Sequence, residues 1–223
     1  MLRKNQIFVI LILIIVIAIF SFFYFKNRNT FIKEDIFSLP KGTVLTEAQK
    51  QKFEEAKAIL EDDPSNAEAL IKIAQVKYDI YDLEGSKKVY LKALEFKPDD
   101  LLILNNLADI YNQLKDYENA EKILLKLTET SPGWINGFRE LKTLYRFHLK
   151  EKYPQIEGIL LKGLEGNKEL YGEAPVDFYA MLATFYKDTG QKEKAIPYYE
   201  KVLELDPNNE GAKIDLEELK KSS

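Results

Sequence analysis

The sequence carries few side chains able to do covalent or metal chemistry. His148 is the only histidine and there is no cysteine. A thiolate zinc site, a disulfide, a cysteine nucleophile, a histidine metal cluster and a serine–histidine–acid triad therefore all lack parts. Gly163 and Gly166 do not belong to a GxxxxGK phosphate cradle. The acidic doublets Asp62-Asp63 and Asp99-Asp100 each flank a proline, where aspartate acts as a helix cap or turn residue rather than as one of a catalytic pair. What remains is the chemistry of recognition. Asn105 and Asn112, seven residues apart, present amide donors and acceptors on one side of a helix. Arg139 and Arg146, at the same spacing, would offer guanidinium forks to a carboxylate. No catalytic residue, metal ligand or cofactor is expected, and His148 reads as a surface residue in a turn.

The elements that position these residues must come from a folded chain. Of 223 residues 30% are charged and 46% hydrophobic, enough to build a core and too apolar for a disordered tail. A net charge of −4 and a pI near 5.3 exclude the basic face that phosphate binding needs, so no nucleic-acid partner is expected.

The N-terminal end has a different character. After a short flank, 1–6, the nineteen positions 7–25 contain no charge and only Ser21 and Tyr24 with polar groups. A helix of that length spans roughly 28 Å, the thickness of a bilayer's hydrocarbon core. Arg3 and Lys4 precede it, and Lys26 and Arg28 follow it. No small-residue cleavage pattern ends the run, so 7–25 is expected to be an uncleaved transmembrane signal anchor. The flanking basic residues nearly balance. The expected placement is a bacterial inner or plasma membrane with the C-terminal part outside the cytoplasm. Residues 26–45, with Pro40 and Gly42, read as a linker that holds the rest away from the bilayer.

Downstream the sequence repeats itself. Pro64, Pro98 and Pro132 are each 34 residues apart. Between them Leu70-Ile73-Ala74, Leu104-Leu107-Ala108-Tyr111, Phe138-Leu141-Tyr145 and Tyr179-Leu182-Ala183-Tyr186 recur in one phase. Ser86-Tyr90-Ala93, Ala120-Leu124-Leu127 and Ala195-Tyr199-Val202 form a second set, each ending five residues before a proline or its equivalent. Self-similarity at a fixed period of this length is the mark of stacked units.

This pattern resembles the tetratricopeptide repeat. Residues 67–100, 101–134 and 176–209 match it, and 135–175 form a degenerate third unit. There Tyr153 lies 36 residues after Tyr117, and Gly163 lies 39 before Val202. Two extra residues fall near Pro154 and five before Pro175. Ile156 replaces the small residue of the second helix, which predicts looser packing, and 166–174 is expected to project as a loop. Residues 46–64 read as a single opening helix, with Thr46 as its cap and Phe53, Ala56, Ile59 and Leu60 inward. Residues 209–221 read as a closing helix with Ala212, Leu216 and Leu219 inward. The expected fold is therefore all-α, a tetratricopeptide-type solenoid of helical hairpins with one N-terminal transmembrane helix. Its seam tyrosines, Tyr111, Tyr145 and Tyr186, read as core.

The resemblance implies that the first helix of each pair lines a concave surface used for partners. Tyr78, Asn105, Asp109, Asn112, Arg139, Arg146 and Lys187 are the inward candidates, with Ile71 beside them. Some members of the family grip chaperone C-termini with a five-residue carboxylate clamp. The corresponding positions are Ile71, Gln75, Asn106, Asn136 and Glu140, of which only Asn106 fits, so no such partner is expected. The expected function is a membrane-tethered adaptor for a protein or peptide, in envelope assembly or secretion. The alternative is a structural subunit packed permanently into a larger membrane complex. The adaptor reading expects a soluble monomeric fragment 46–223, and the subunit reading expects one that is not.

Overall fold

The computed structural model describes residues 36–221. The expected anchor 7–25, its flank 1–6 and the first part of the linker lie outside them, and no helix among the described residues is long and apolar enough to cross a membrane. The described chain is all helical: α1 Glu47–Asp62, α2 Ala67–Asp79, α3 Leu83–Phe96, α4 Leu101–Gln113, α5 Tyr117–Thr130, α6 Ile135–Phe147, a 3-10 turn Lys150–Gln155, α7 Ile156–Tyr171, α8 Val176–Asp188, α9 Lys192–Leu205 and α10 Glu210–Lys221. The chain divides into two compact units after Pro98.

The first unit holds α1, α2 and α3. Thr46 and Gln49 form a reciprocal capping box at the start of α1, which satisfies two of the amide groups a helix N-terminus leaves open. Phe53, Ala56 and Leu60 are buried, but Ile59 is 39% exposed. Ile59 therefore does not belong to the buried face expected for it: the stripe follows 53, 56 and 60, and 59 falls beyond its edge. Ser86 stands at the close approach of α2 and α3, where its hydroxyl donates to the Ala74 carbonyl at 2.8 Å. A buried hydroxyl there is tolerated because it is bonded.

The linker expected for 26–45 is not a free stalk throughout. Ile36 is buried and Phe37 meets Phe53 edge-on at 6.4 Å. The Lys77 ammonium, only 1% exposed, donates to the Ser38 carbonyl and pairs with Asp82 at 3.0 Å. A lysine so deeply buried needs such partners, so the segment is strapped onto the first helices. A fragment cut at 46 would leave Lys77 without one of them.

In the second unit α4–α5, α6–α7 and α8–α9 form three hairpins, and α10 closes the last. Successive hairpins are joined by the same device. Tyr145 of α6 donates to Glu121 of α5 at 2.7 Å, and Lys152 binds the other oxygen of that carboxylate. Tyr186 of α8 donates to Glu157 of α7 at 2.7 Å, where Lys194 also binds. The seam tyrosines are thus core rings with their hydroxyls satisfied, as burial of tyrosine requires.

The third hairpin corrects two expectations. Its second helix continues to Tyr171 and ends on Gly172 in the left-handed conformation (φ 80°). Most of 166–174 is therefore helix rather than a projecting loop, and the surplus residues lengthen α7 and build the 3-10 turn around Pro154. Packing is not looser either. Ile156 is fully buried, and two turns along α7, where the other hairpins carry Leu127 and Val202, stands Gly163. A Cβ on Gly163 would lie 2.6 Å from ring atoms of both Phe138 and Phe178. The small and large positions have exchanged places, which keeps the volume of the seam.

Candidate partner-binding face

The first helices of the second unit, α4, α6 and α8, carry six of the seven residues singled out in the sequence; Tyr78, half-buried, is on α2 of the first unit. Ile71, also on α2, is 4% exposed and belongs to the core. The apolar stripes of α4, α6 and α8 hold Leu104, Leu107, Leu141, Leu144, Leu182 and Phe185 inward. That fixes the rotation of each helix and brings the polar positions between the stripes to the surface.

Asn105 and Asn112 are half-buried, and neither side-chain amide has a hydrogen-bond partner among the described residues. Asp109 accepts a bond from Gln113 at 2.7 Å. The arginines and the lysine are engaged within the chain. Arg139 donates to Asn136 and to Asp177, both at 2.7 Å, and Arg146 pairs with Asp188 at 2.9 Å. Lys187 binds Asp215 at 2.7 Å and Glu218 at 2.6 Å. The expectation that the two arginines stand open to a partner's carboxylate is corrected: their forks tie α6 to α8. The acids that hold them lie about 40 positions downstream by the repeat spacing, so local sequence does not display the pairing. These pairs are half-exposed and contribute little each, roughly 0.2–1 kcal/mol.

Two ionisable groups on α6 are perturbed. Burial pushes the Lys142 ammonium down to about 8, despite the opposing pull of Asp188. It donates to the Thr184 hydroxyl. Burial, with Asp109 adding to it, holds the Glu140 carboxyl above the usual carboxylate range. One Glu140 oxygen is buried without a hydrogen-bond partner. Glu140 lines a cavity of about 240 Å³ with Asn112, Tyr117, Arg139, Thr143, Leu144 and His148. The His148 and Tyr117 rings stack there, 4.1 Å apart and 15° from parallel. Sequence reasoning met Glu140 only as a mismatch to the carboxylate clamp, and His148 only as an exposed turn residue. Their repeat phase, 34 or 36 residues on from Asn106 and Asn112, was the signal that could have placed them on this face.

The acidic doublets serve the helix ends. Asp100 caps α4 through the amides of Leu102 and Ile103, Asp63 holds Ser65, and Asp99 pairs with Lys126 at 3.2 Å.

Helix pairs stacked through shared seams, as in the second unit, define a helical-repeat fold. The chain carries tetratricopeptide repeats: models of that repeat match residues 89–122 and 176–209. No curated protein matches the sequence. Among solved structures it is similar to YrrB, described as a TPR protein with an unusual peptide-binding site, at 18% identity and TM-score 0.54 over 75% of this chain and 82% of that one. A tetratricopeptide repeat protein from Parabacteroides merdae matches at 20% identity and TM-score 0.56, over 75% and 64%. MamA from Desulfovibrio magneticus matches at 15% and 0.53, over 74% and 89%. At these identities the likeness is one of fold.

Proposed function

We propose that the chain is a protein-interaction adaptor that takes a protein or peptide partner on the face of α4, α6 and α8 of the second unit. The observation that carries this reading is the pair of unpartnered amides of Asn105 and Asn112. Seven residues apart on one helix, they can each give and accept a hydrogen bond with an extended backbone. Arg139, Arg146 and Lys187 flank them and hold the face in place through their pairs with Asp177, Asp188, Asp215 and Glu218. A protein of the same fold, YrrB, is described as having a peptide-binding site, which supports the same use here.

The anchor 7–25 makes this a tethered adaptor. In the sequence the ten residues 26–35 lie between this segment and Ile36, which is buried in the first unit. That tether concentrates any partner at the membrane surface, and we place the repeats outside the cytoplasm. Alkaline carbonate extraction and protease protection test both points: the full chain stays with the membrane pellet, and the repeats are cleaved only from the outer side. Release into the supernatant contradicts the anchor. For the binding face, the full chain is used as bait with Asn105→Ala and Asn112→Ala combined. The partner retained by the wild type is lost with an unchanged melting temperature; retention at wild-type levels contradicts the face.

The permanent-subunit reading draws on a different observation. Trp134, Tyr171 and Leu205, between 37% and 65% exposed, line a cavity of about 540 Å³ with Val176 and Pro175. Exposed aromatic clusters of this kind mark association surfaces. Sedimentation of the full chain in detergent separates the readings: a monomer fits the adaptor, and a stable oligomer or stoichiometric complex lost on Trp134→Ser fits the subunit.

A further inference from the structure

The cavity between α4 and α6 holds a carboxylate without a counter-ion. Glu140 makes no hydrogen bond or ion pair among the described residues, and one of its oxygens is shielded from water. The cations nearest in sequence are committed elsewhere: Arg139 to Asn136 and Asp177, Lys142 to Thr184, Arg146 to Asp188. Arg139 also lines the cavity, but its charge is offset by Asp177. Asp109, one turn before Gln113 on α4, adds a second negative charge, and it is near enough to raise the Glu140 carboxyl. Leaving a half-buried carboxylate unpaired is costly, and a perturbed acid lining a cavity marks a candidate ligand site.

The other walls narrow the ligand. The Asn112 amide oxygen is an open acceptor, and the Thr143 hydroxyl, which donates to the Arg139 carbonyl at 2.8 Å, keeps lone pairs for a donor. Tyr117 and His148 form a flat stacked pair. At about 240 Å³ the space lies below the 300 Å³ or so at which small-molecule and cofactor sites begin, and suits one inserted side chain. A carboxylate, further acceptors and a planar aromatic wall together match a planar, multiply donating cation. We infer that this cavity receives an arginine side chain of the partner, its guanidinium bonded to Glu140 and Asn112 and laid along the Tyr117–His148 stack.

The inference rests on the reading of α4, α6 and α8 as the partner face, and names the chemistry that face selects. It reverses the polarity expected from the sequence, which had this face seek a carboxylate.

Because His148 is the only histidine, its ring carbon–proton resonance in the untagged full chain, held in nanodiscs, reports on this cavity alone. The probes are N-acetyl-arginine amide and its neutral isostere N-acetyl-citrulline amide. The arginine compound shifts the resonance saturably, and the citrulline compound binds weaker by on the order of tenfold or more. Glu140→Gln, nearly the same in shape, abolishes that preference while the melting temperature holds or rises. Equal response to the two probes, no saturable shift, or a preference untouched by Glu140→Gln overturns the inference. If Asn112 variants still lose a captured partner while Glu140→Gln does not, the arginine pocket falls and the partner face stands.

Discussion

Lys142 and Glu140 lie two residues apart on α6, and both are held away from their preferred charge by burial. For Lys142 the consequence is measurable. Its folded value, about 8, is below the unfolded value of 10.5, so the unfolded state binds the proton more tightly between those limits. Stability then rises with pH across that window, and at neutral pH the protonated lysine is a net burden. Lys142→Met is expected to be more stable than wild type at pH 7 by roughly 1–3 kcal/mol, with the gain shrinking as pH climbs from about 8 toward 10. Thermal melts of both proteins at pH 7 and pH 10 check this. A constant or widening gap contradicts the burial of an uncompensated charge.

Glu140 was legible only as an acid on a helix. Its isolation follows from where Arg139 goes, and Asp177, which takes Arg139, stands 38 residues away. By contrast the caps were legible, since an aspartate or threonine before an apolar helical stripe satisfies amide groups wherever it falls. Asp100 and Thr46 both do so.

At the scale of the element, two features of the hairpins lead to expectations of opposite sign. Gly163 lies where α7 crosses Phe138 and Phe178, rings that are 2% and 0% exposed. Gly163→Ala puts a methyl group into that contact and should destabilise by roughly 1–3 kcal/mol, although alanine is the better helix former by about 1 kcal/mol. Denaturant unfolding decides which effect wins, and a stabilised variant would show that the crossing is loose. The turn between the two helices of a pair needs a left-handed residue just before the cap of the second. Gly190 fills it in the last hairpin, but Lys115 does so in the α4–α5 pair with φ 60°. Lysine is strained there, and Lys115→Gly should stabilise by about 0.5–1 kcal/mol, the lost strain being partly offset by glycine's greater freedom when unfolded. An unchanged or lower melting temperature contradicts that account.

The helix phase was readable from the sequence because the seam positions repeat every 34 residues. The exchange of Ile156 and Gly163 was not, because each departure taken alone looks like a lost contact; only the facing rings show that one compensates the other. The form taken by the extra residues expected in 135–175 was not legible. Insertions next to a helix end either loop out or extend the helix. The run from Ile156 to Tyr171 contains no proline, so extension was open to it.

At the scale of the whole molecule the central claim is that the first helices of the second unit meet a partner and the second helices do not. A photo-crosslinking amino acid at Asn105 or Asn112 reports from the first helices. The same residue at exposed Lys122 of α5 reports from the second. Crosslinking in intact cells by the full chain is the most direct measurement. The expected result is one protein captured from both 105 and 112, in adducts of the same mass, with none from 122. Adducts from 122 with none from 105 or 112 would contradict the account and move the binding surface to the opposite helices.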